Sequence, residues 1–179
     1  MLFFRVISPS ANPNFLLSNR DMSALFDATR QYRYSLWREW DLLKPRVGFV
    51  MLNPSQADET VNDPTIRRCI GFARSWGYGS VEIMNLFAYR TPYPRNLRQV
   101  SDPIGQDNDR MLATFAQSVD RIILAWGNWG RLQGRDQAVI TLLSSADLFC
   151  FGLTKQGQPI HPLYLKRDRP LRAWCSGVG

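Results

Sequence analysis

Three side chains have the type and setting to work on a ligand by hydrogen bonding: Asn53 in M-L-N-P-S-Q, Asn85 in I-M-N-L-F, and His161, the only histidine, in I-H-P-L-Y-L. A carboxamide holds a donor and an acceptor in fixed geometry and so can read the edge of a base. It cannot take a proton, although its oxygen can orient a water. A neutral imidazole can donate to an oxygen on which charge develops. Two carboxamides, one imidazole and many arginines suit a reaction that expels a delocalised anion, and cleavage of an N-glycosidic bond to a pyrimidine is one such reaction. The same residues also have plainer readings: Asn53-Pro54-Ser55 as an ordinary strand-to-loop turn, and a lone histidine as a structural one.

Other chemistries lack their residues. Cys69, Cys150 and Cys175 are far apart and odd in number, which speaks against a disulfide framework and fits a reducing cytoplasm. With one histidine there is no histidine-based zinc site, so no metal or cofactor is expected. The chain has no G-x-S-x-G elbow and no G-x-x-x-x-G-K-[ST] loop, which removes the serine-hydrolase and nucleoside-triphosphatase readings.

Net charge is +7, and the cations are 19 arginines against only Lys44, Lys155 and Lys166. The planar guanidinium suits bidentate phosphate contacts, so nucleic acid is the expected partner. Arg67, Arg90, Arg95, Lys166 and Arg167 are the candidates for phosphate contact, with a solvated helix face as the plainer reading for Arg67 and Arg74.

These residues need elements to hold them. Residues 47–52 form an almost unbroken apolar run, as expected of a strand buried on both faces of a parallel sheet, and Pro54 ends it. Asp63-Pro64 is an N-cap followed by proline at the first helical position. Ile66, Cys69, Ile70 and Ala73 then recur at helical spacing up to Gly77. Further strands are expected at 80–86, 121–126 and 148–152. Helices follow Asp107, with Leu112 and Phe115 inward, and again around Val139 and Leu143. Residues 87–97 read as a stiff basic loop. Residues 29–36 read as an edge strand, with Tyr32 and Tyr34 on one face.

Strands alternating with helices predict an α/β fold with right-handed crossovers and a parallel sheet covered on both faces. All four strands then end at one edge, where open α/β sheets bind ligands, and that edge gathers Asn53, Asn85, the Gly127–Gly130 loop and His161. The length suits one domain, taken as residues 23–179 after a poorly structured extension over 1–22. No run of 18 apolar residues occurs and the N-terminus makes a poor signal peptide, so no membrane contact is expected. The composition leaves the oligomeric state open, with a monomer preferred.

From about Thr29 onward the chain resembles an uncharacterised bacterial family known as domain of unknown function 1643. The resemblance runs through M-L-N-P-S-Q-A-D, N-D-P-T-I-R-R-C, N-L-F-A-Y-R, D-P-I-G-Q-D-N-D, A-W-G-N-W-G and H-P-L-Y-L. The same motifs follow the order seen in the uracil-DNA glycosylase superfamily. M-L-N-P-S is similar to that superfamily's first motif, with Asn53 where some members have a water-orienting asparagine and others an aspartate. Asn85 resembles its uracil-reading asparagine, A-W-G-N-W-G its L-L-W-G strand end, and His161-Pro162 its H-P-S-P loop.

The resemblance implies a three-layer α/β/α sandwich with a four-stranded parallel core in the order 2-1-3-4, plus N-terminal edge strands. It implies removal of a uracil-like or modified pyrimidine from DNA more than RNA. Asn53 and His161 would be catalytic, Asn85, Pro54, Ser55 and Phe87 would bind the base, and Leu163 or Tyr164 would be the wedge that fills the gap left by a flipped nucleotide. The departures are Leu163-Tyr164 in place of Ser-Pro, Met51 in place of a glycine, and no aspartate at position 53. A non-catalytic nucleotide-sensing module and an enzyme acting on a free nucleoside or nucleotide are the alternatives.

Overall fold

The computed structural model describes residues 22–174, so the 1–22 extension falls outside it except for Met22, and the last five residues, Cys175 among them, fall outside as well. The chain folds around one mixed sheet of seven strands in the order β1-β2-β4-β3-β5-β6-β7. The strands are β1 (Met22–Phe26), β2 (Arg33–Glu39), β3 (Arg46–Met51), β4 (Ser80–Asn85), β5 (Arg121–Leu124), β6 (Leu148–Cys150) and β7 (Arg172–Ala173). β3 is internal and parallel to both neighbours, with Met51 beside Asn85 on one side and Val50 beside Leu124 on the other. β5 and β6 are also parallel, whereas β1-β2, β2-β4 and β6-β7 are antiparallel.

Side-chain alternation along the central strands makes two cores. Val47, Phe49 and Met51 of β3 with Val81 and Ile83 of β4 face α1 (Pro64–Ser75), meeting Ile66, Cys69, Phe72 and Ala73. Val50 and Met84 face the other way with Ile122 and Leu124, onto α2 (Asn108–Ala116) and α3 (Arg135–Leu142) through Leu112, Phe115 and Val139. At Gly48 the Phe115 ring of α2 lies against the backbone of β3: a Cβ there would stand 2.2 Å from Cζ of Phe115. The Asp63 cap forms as its sequence indicates, its carboxylate accepting from the Ile66 N–H at 2.8 Å.

Three expectations are corrected. The sheet is larger than four parallel strands and mixed. Residues 29–36 are not an edge strand: β2 starts at Arg33 and lies between β1 and β4. The cause is a turn built by Asp27, whose carboxylate accepts from the N–H groups of Thr29 at 3.0 Å and Tyr32 at 2.8 Å while Arg30 takes φ 58°. That turn closes a hairpin and puts β1 on the outside. The stretch 87–97 is also not wholly irregular, because Pro94 opens a 3-10 turn, Pro94–Arg98. At the other flank, β7 is too short to leave a periodic signal.

Candidate functional site

The carboxyl edge of β3, β4, β5 and β6 is built by the loops that follow each strand. Beyond β3 the Asn53-Pro54 turn is clamped to the segment after β4. Asn53 Nδ2 donates to the carbonyls of Pro54 at 2.9 Å and Thr91 at 2.7 Å, and the Thr91 N–H returns a bond to Pro54 at 2.9 Å. A carboxylate in place of this amide would turn oxygen toward two carbonyls, so the turn itself requires the asparagine. With Nδ2 engaged twice, Oδ1 is the atom left for a ligand or a water. Pro54 is buried, and Ser55 lies half-buried at the start of the loop to α1.

Asn85 ends β4 on the face of α1, in register with Met51. Its backbone is held from the opposite face: Asn108 Nδ2 donates to the carbonyls of Asn85 at 3.1 Å and Leu86 at 3.0 Å, and Arg135 Nε donates to Leu86 at 2.7 Å. Asn85 is 1% exposed, and its Nδ2 has no acceptor among the described residues. A buried donor without a partner costs about 1–3 kcal/mol, which makes this nitrogen conspicuous at a strand end. Phe87, two residues on, is fully buried in the core beneath α2 and α3, on the other face from the Asn85 side chain.

His161 caps the 3-10 turn Pro162–Tyr164, its Nδ1 accepting from the Leu163 N–H at 3.4 Å. Gly127, which follows β5, has φ 73°, binds the Pro159 carbonyl and would place a Cβ 3.9 Å from Cβ of His161. Burial pushes the imidazole pKa down, opposed by the charge of Asp63 at the start of α1. Tyr164 is 93% exposed at the tip of the turn, Leu163 is half-buried, and Lys166 and Arg167 behind them are exposed.

Arg67 and Arg95 are exposed, and Arg90 is half-buried against the ring of Phe26, 4.7 Å from its centroid. Among the described residues, none of Arg67, Arg90, Arg95, Lys166 and Arg167 has an ion-pair partner.

Asn53, Asn85 and His161 thus sit in the loops and strand ends of one edge. Asp63, which acts on His161, also acts on a residue that pattern reading passes over, Arg33. Arg33 is 2% exposed, donates Nη1 to the Ala57 carbonyl at 2.7 Å, and among the described residues has no partner on Nε. Burial lowers its pKa to about 10, which leaves it charged at neutral pH. The signal for it in the sequence is a charge set between Tyr32 and Tyr34 in a strand. Asn108 and Thr91, which hold the two asparagines in place, carry no such signal. Among the described residues no group of three or more His, Cys, Asp or Glu could hold a metal, and no helix is long and apolar enough to cross a membrane.

An α/β protein with polar groups gathered where its parallel strands end is the class that fold and site define. The chain belongs to the family described as a protein of unknown function (DUF1643), whose model matches residues 33–163. No curated protein and no solved structure matches it.

Proposed function

We propose that this protein binds nucleic acid, takes a single pyrimidine-like base out of the stack, and hydrolyses its N-glycosidic bond. The observation that carries the reading is Asn85: a buried amide donor with no acceptor, at a strand end that a second layer of side chains holds still. Such a donor is what a base carbonyl would satisfy. Asn53 Oδ1 orients the water, and the neutral His161 donates to the departing base oxygen, where negative charge accumulates. Tyr164, nearly bare beside His161, fills the space that the base vacates. The order β4-β3-β5-β6 within the sheet supports the likeness to uracil-DNA glycosylases, and the unpaired Lys166 and Arg167 suit a phosphate backbone.

One observation favours a second reading, a binding module without turnover. The Asn53 amide is committed to the turn, and the first motif holds no carboxylate to stabilise a cationic sugar. Incubation with duplexes carrying uracil, mismatched thymine or a modified pyrimidine separates the two. The glycosylase gives abasic sites, seen as strand breaks after hot alkali, and Asn85→Ala and His161→Ala each lower the rate by about 10²- to 10³-fold. Equal background from wild type and both variants on every duplex, with binding retained, assigns the protein to the second reading.

A further inference from the structure

Beside the Asn53 turn lies a cleft of about 490 Å³, whose walls include Gln31, Ser55, Gln56, Tyr89, Arg90 and Thr91. The volume falls within the roughly 300–1,000 Å³ of small-molecule sites. The wall side chains are rich in hydrogen-bond donors.

Two arginines lie at this cleft, Arg30 and Arg90, both stacked on Phe26, at 4.1 and 4.7 Å from the ring centroid. Arg30 is neutralised by Glu59, which it grips with two bonds of 2.7 and 2.9 Å. Arg90 is not neutralised. Its Nη1 donates to the Arg30 carbonyl at 3.1 Å, and among the described residues its buried Nε has no partner and no carboxylate lies within ion-pair distance. Asp58 feels its charge, but Asp58 Oδ1 already accepts from the N–H groups of Thr60 at 2.9 Å and Val61 at 2.8 Å.

Arg33 stands behind the same walls. Its N–H binds the Ala88 carbonyl, next to Tyr89, and its Nη1 binds the Ala57 carbonyl, next to Gln56. Its Nε too is without a partner among the described residues, and the carboxylate that acts on it most, Asp63, also caps α1. A buried guanidinium with no carboxylate in ion-pair contact is costly, and arginine's planar fork matches two oxygens of a phosphate.

We propose that this cleft is a phosphate site, in which Arg90 grips the anion and the buried Arg33 supports it from behind. The ligand is a phosphate carried either by a free nucleotide or by a strand. The choice of a nucleotide rests on the base-reading role of Asn85; the phosphate site itself does not.

Calorimetric titration tests it with uridine 5′-monophosphate, uridine, inorganic phosphate and a short oligothymidylate lacking terminal phosphates. Wild type binds the phosphate-bearing probes at least about tenfold more tightly than uridine, and Arg90→Gln removes that difference without moving the thermal midpoint. Arg33→Met weakens the same probes while raising the midpoint, because a buried charge without an ion-pair contact is gone; Arg33→Lys, which keeps the charge and loses the fork, falls between. Arg110→Gln on α2 changes nothing. Tighter binding of the monophosphate assigns a monoester to the cleft, and tighter binding of the oligomer assigns a diester. Equal affinity for uridine and its monophosphate, or wild-type affinity in Arg90→Gln, overturns the proposal. Base release without phosphate binding would end this proposal alone, and phosphate binding without base release would end only the glycosylase reading.

Discussion

His161 shows what burial does to a single titratable group at this edge. Its folded pKa lies below the ordinary 6.5, because removing the ring from water penalises the imidazolium more than Asp63 supports it. The unfolded chain therefore binds more protons than the folded one as pH falls through 6.5, and stability drops with acidification across that window. Above the window the ring is neutral in both states and contributes no slope. His161→Asn keeps a side chain that can cap the Pro162–Tyr164 turn and removes the titration. Thermal midpoints measured between about pH 7.5 and pH 5 should fall more steeply for wild type than for this variant. Parallel curves would mean that the imidazole is as well hydrated in the folded state as in the unfolded one. With Nδ1 accepting from the Leu163 N–H, the neutral ring carries its proton on Nε2, which is the nitrogen left to donate.

At the scale of elements, legibility followed locality. Asp63-Pro64 caps α1 through a bond that spans three residues, and β3 is an apolar run, so both could be read from adjacent letters. β2 was displaced because its boundary is set by Asp27 and by Arg30 in a left-handed conformation, which arginine rarely adopts and which no local pattern announces. Gly48 is a further case. Within the apolar run it looks like a weak point, yet it admits the Phe115 ring of α2, which comes from a segment 67 residues further on. Phe115 is buried and cannot swing aside cheaply, so Gly48→Ala should destabilise by about 1–3 kcal/mol, the usual cost of overpacking a filled core. Denaturant unfolding of Gly48→Ala, Phe115→Leu and the double variant checks this. The double variant should be more stable than the sum of the two single losses, because the smaller side chain gives up the space that the new methyl needs. Strict additivity would show that the strand and helix are not in contact at this point.

Over the whole molecule, composition reports the charge as a single number, whereas the structure separates cations held in ion pairs from cations that are not. Arg46 at the amino end of β3 is matched by Glu39 and Glu82, at 3.7 and 3.6 Å, and Arg110 by Asp107 at 3.0 Å. Arg67, Arg90, Arg95, Lys166 and Arg167 have no such partner among the described residues, and each follows the carboxyl end of a strand or opens the helix that starts there. Their alignment depends on parallel strands separated by long crossovers, just as the hold of Asn108 on Asn85 depends on contact across 23 residues. Spacing could therefore indicate which edge would carry the site, but not that Arg33 would be sealed beneath it or Phe87 turned away from it. If the unpaired cations track a phosphate backbone, affinity for an oligonucleotide should fall with salt through counterion release. Each lost contact then reduces the slope of log affinity against log salt by about 0.7 on a single strand and about 0.9 on a duplex. Arg167→Ala should show that reduction, while Arg46→Gln, at the opposite edge and already paired, should keep the wild-type slope. Fluorescence titrations at several salt concentrations measure both. An equal change in the two variants would mean that the protein meets nucleic acid through its net charge and not through the edge where its parallel strands end.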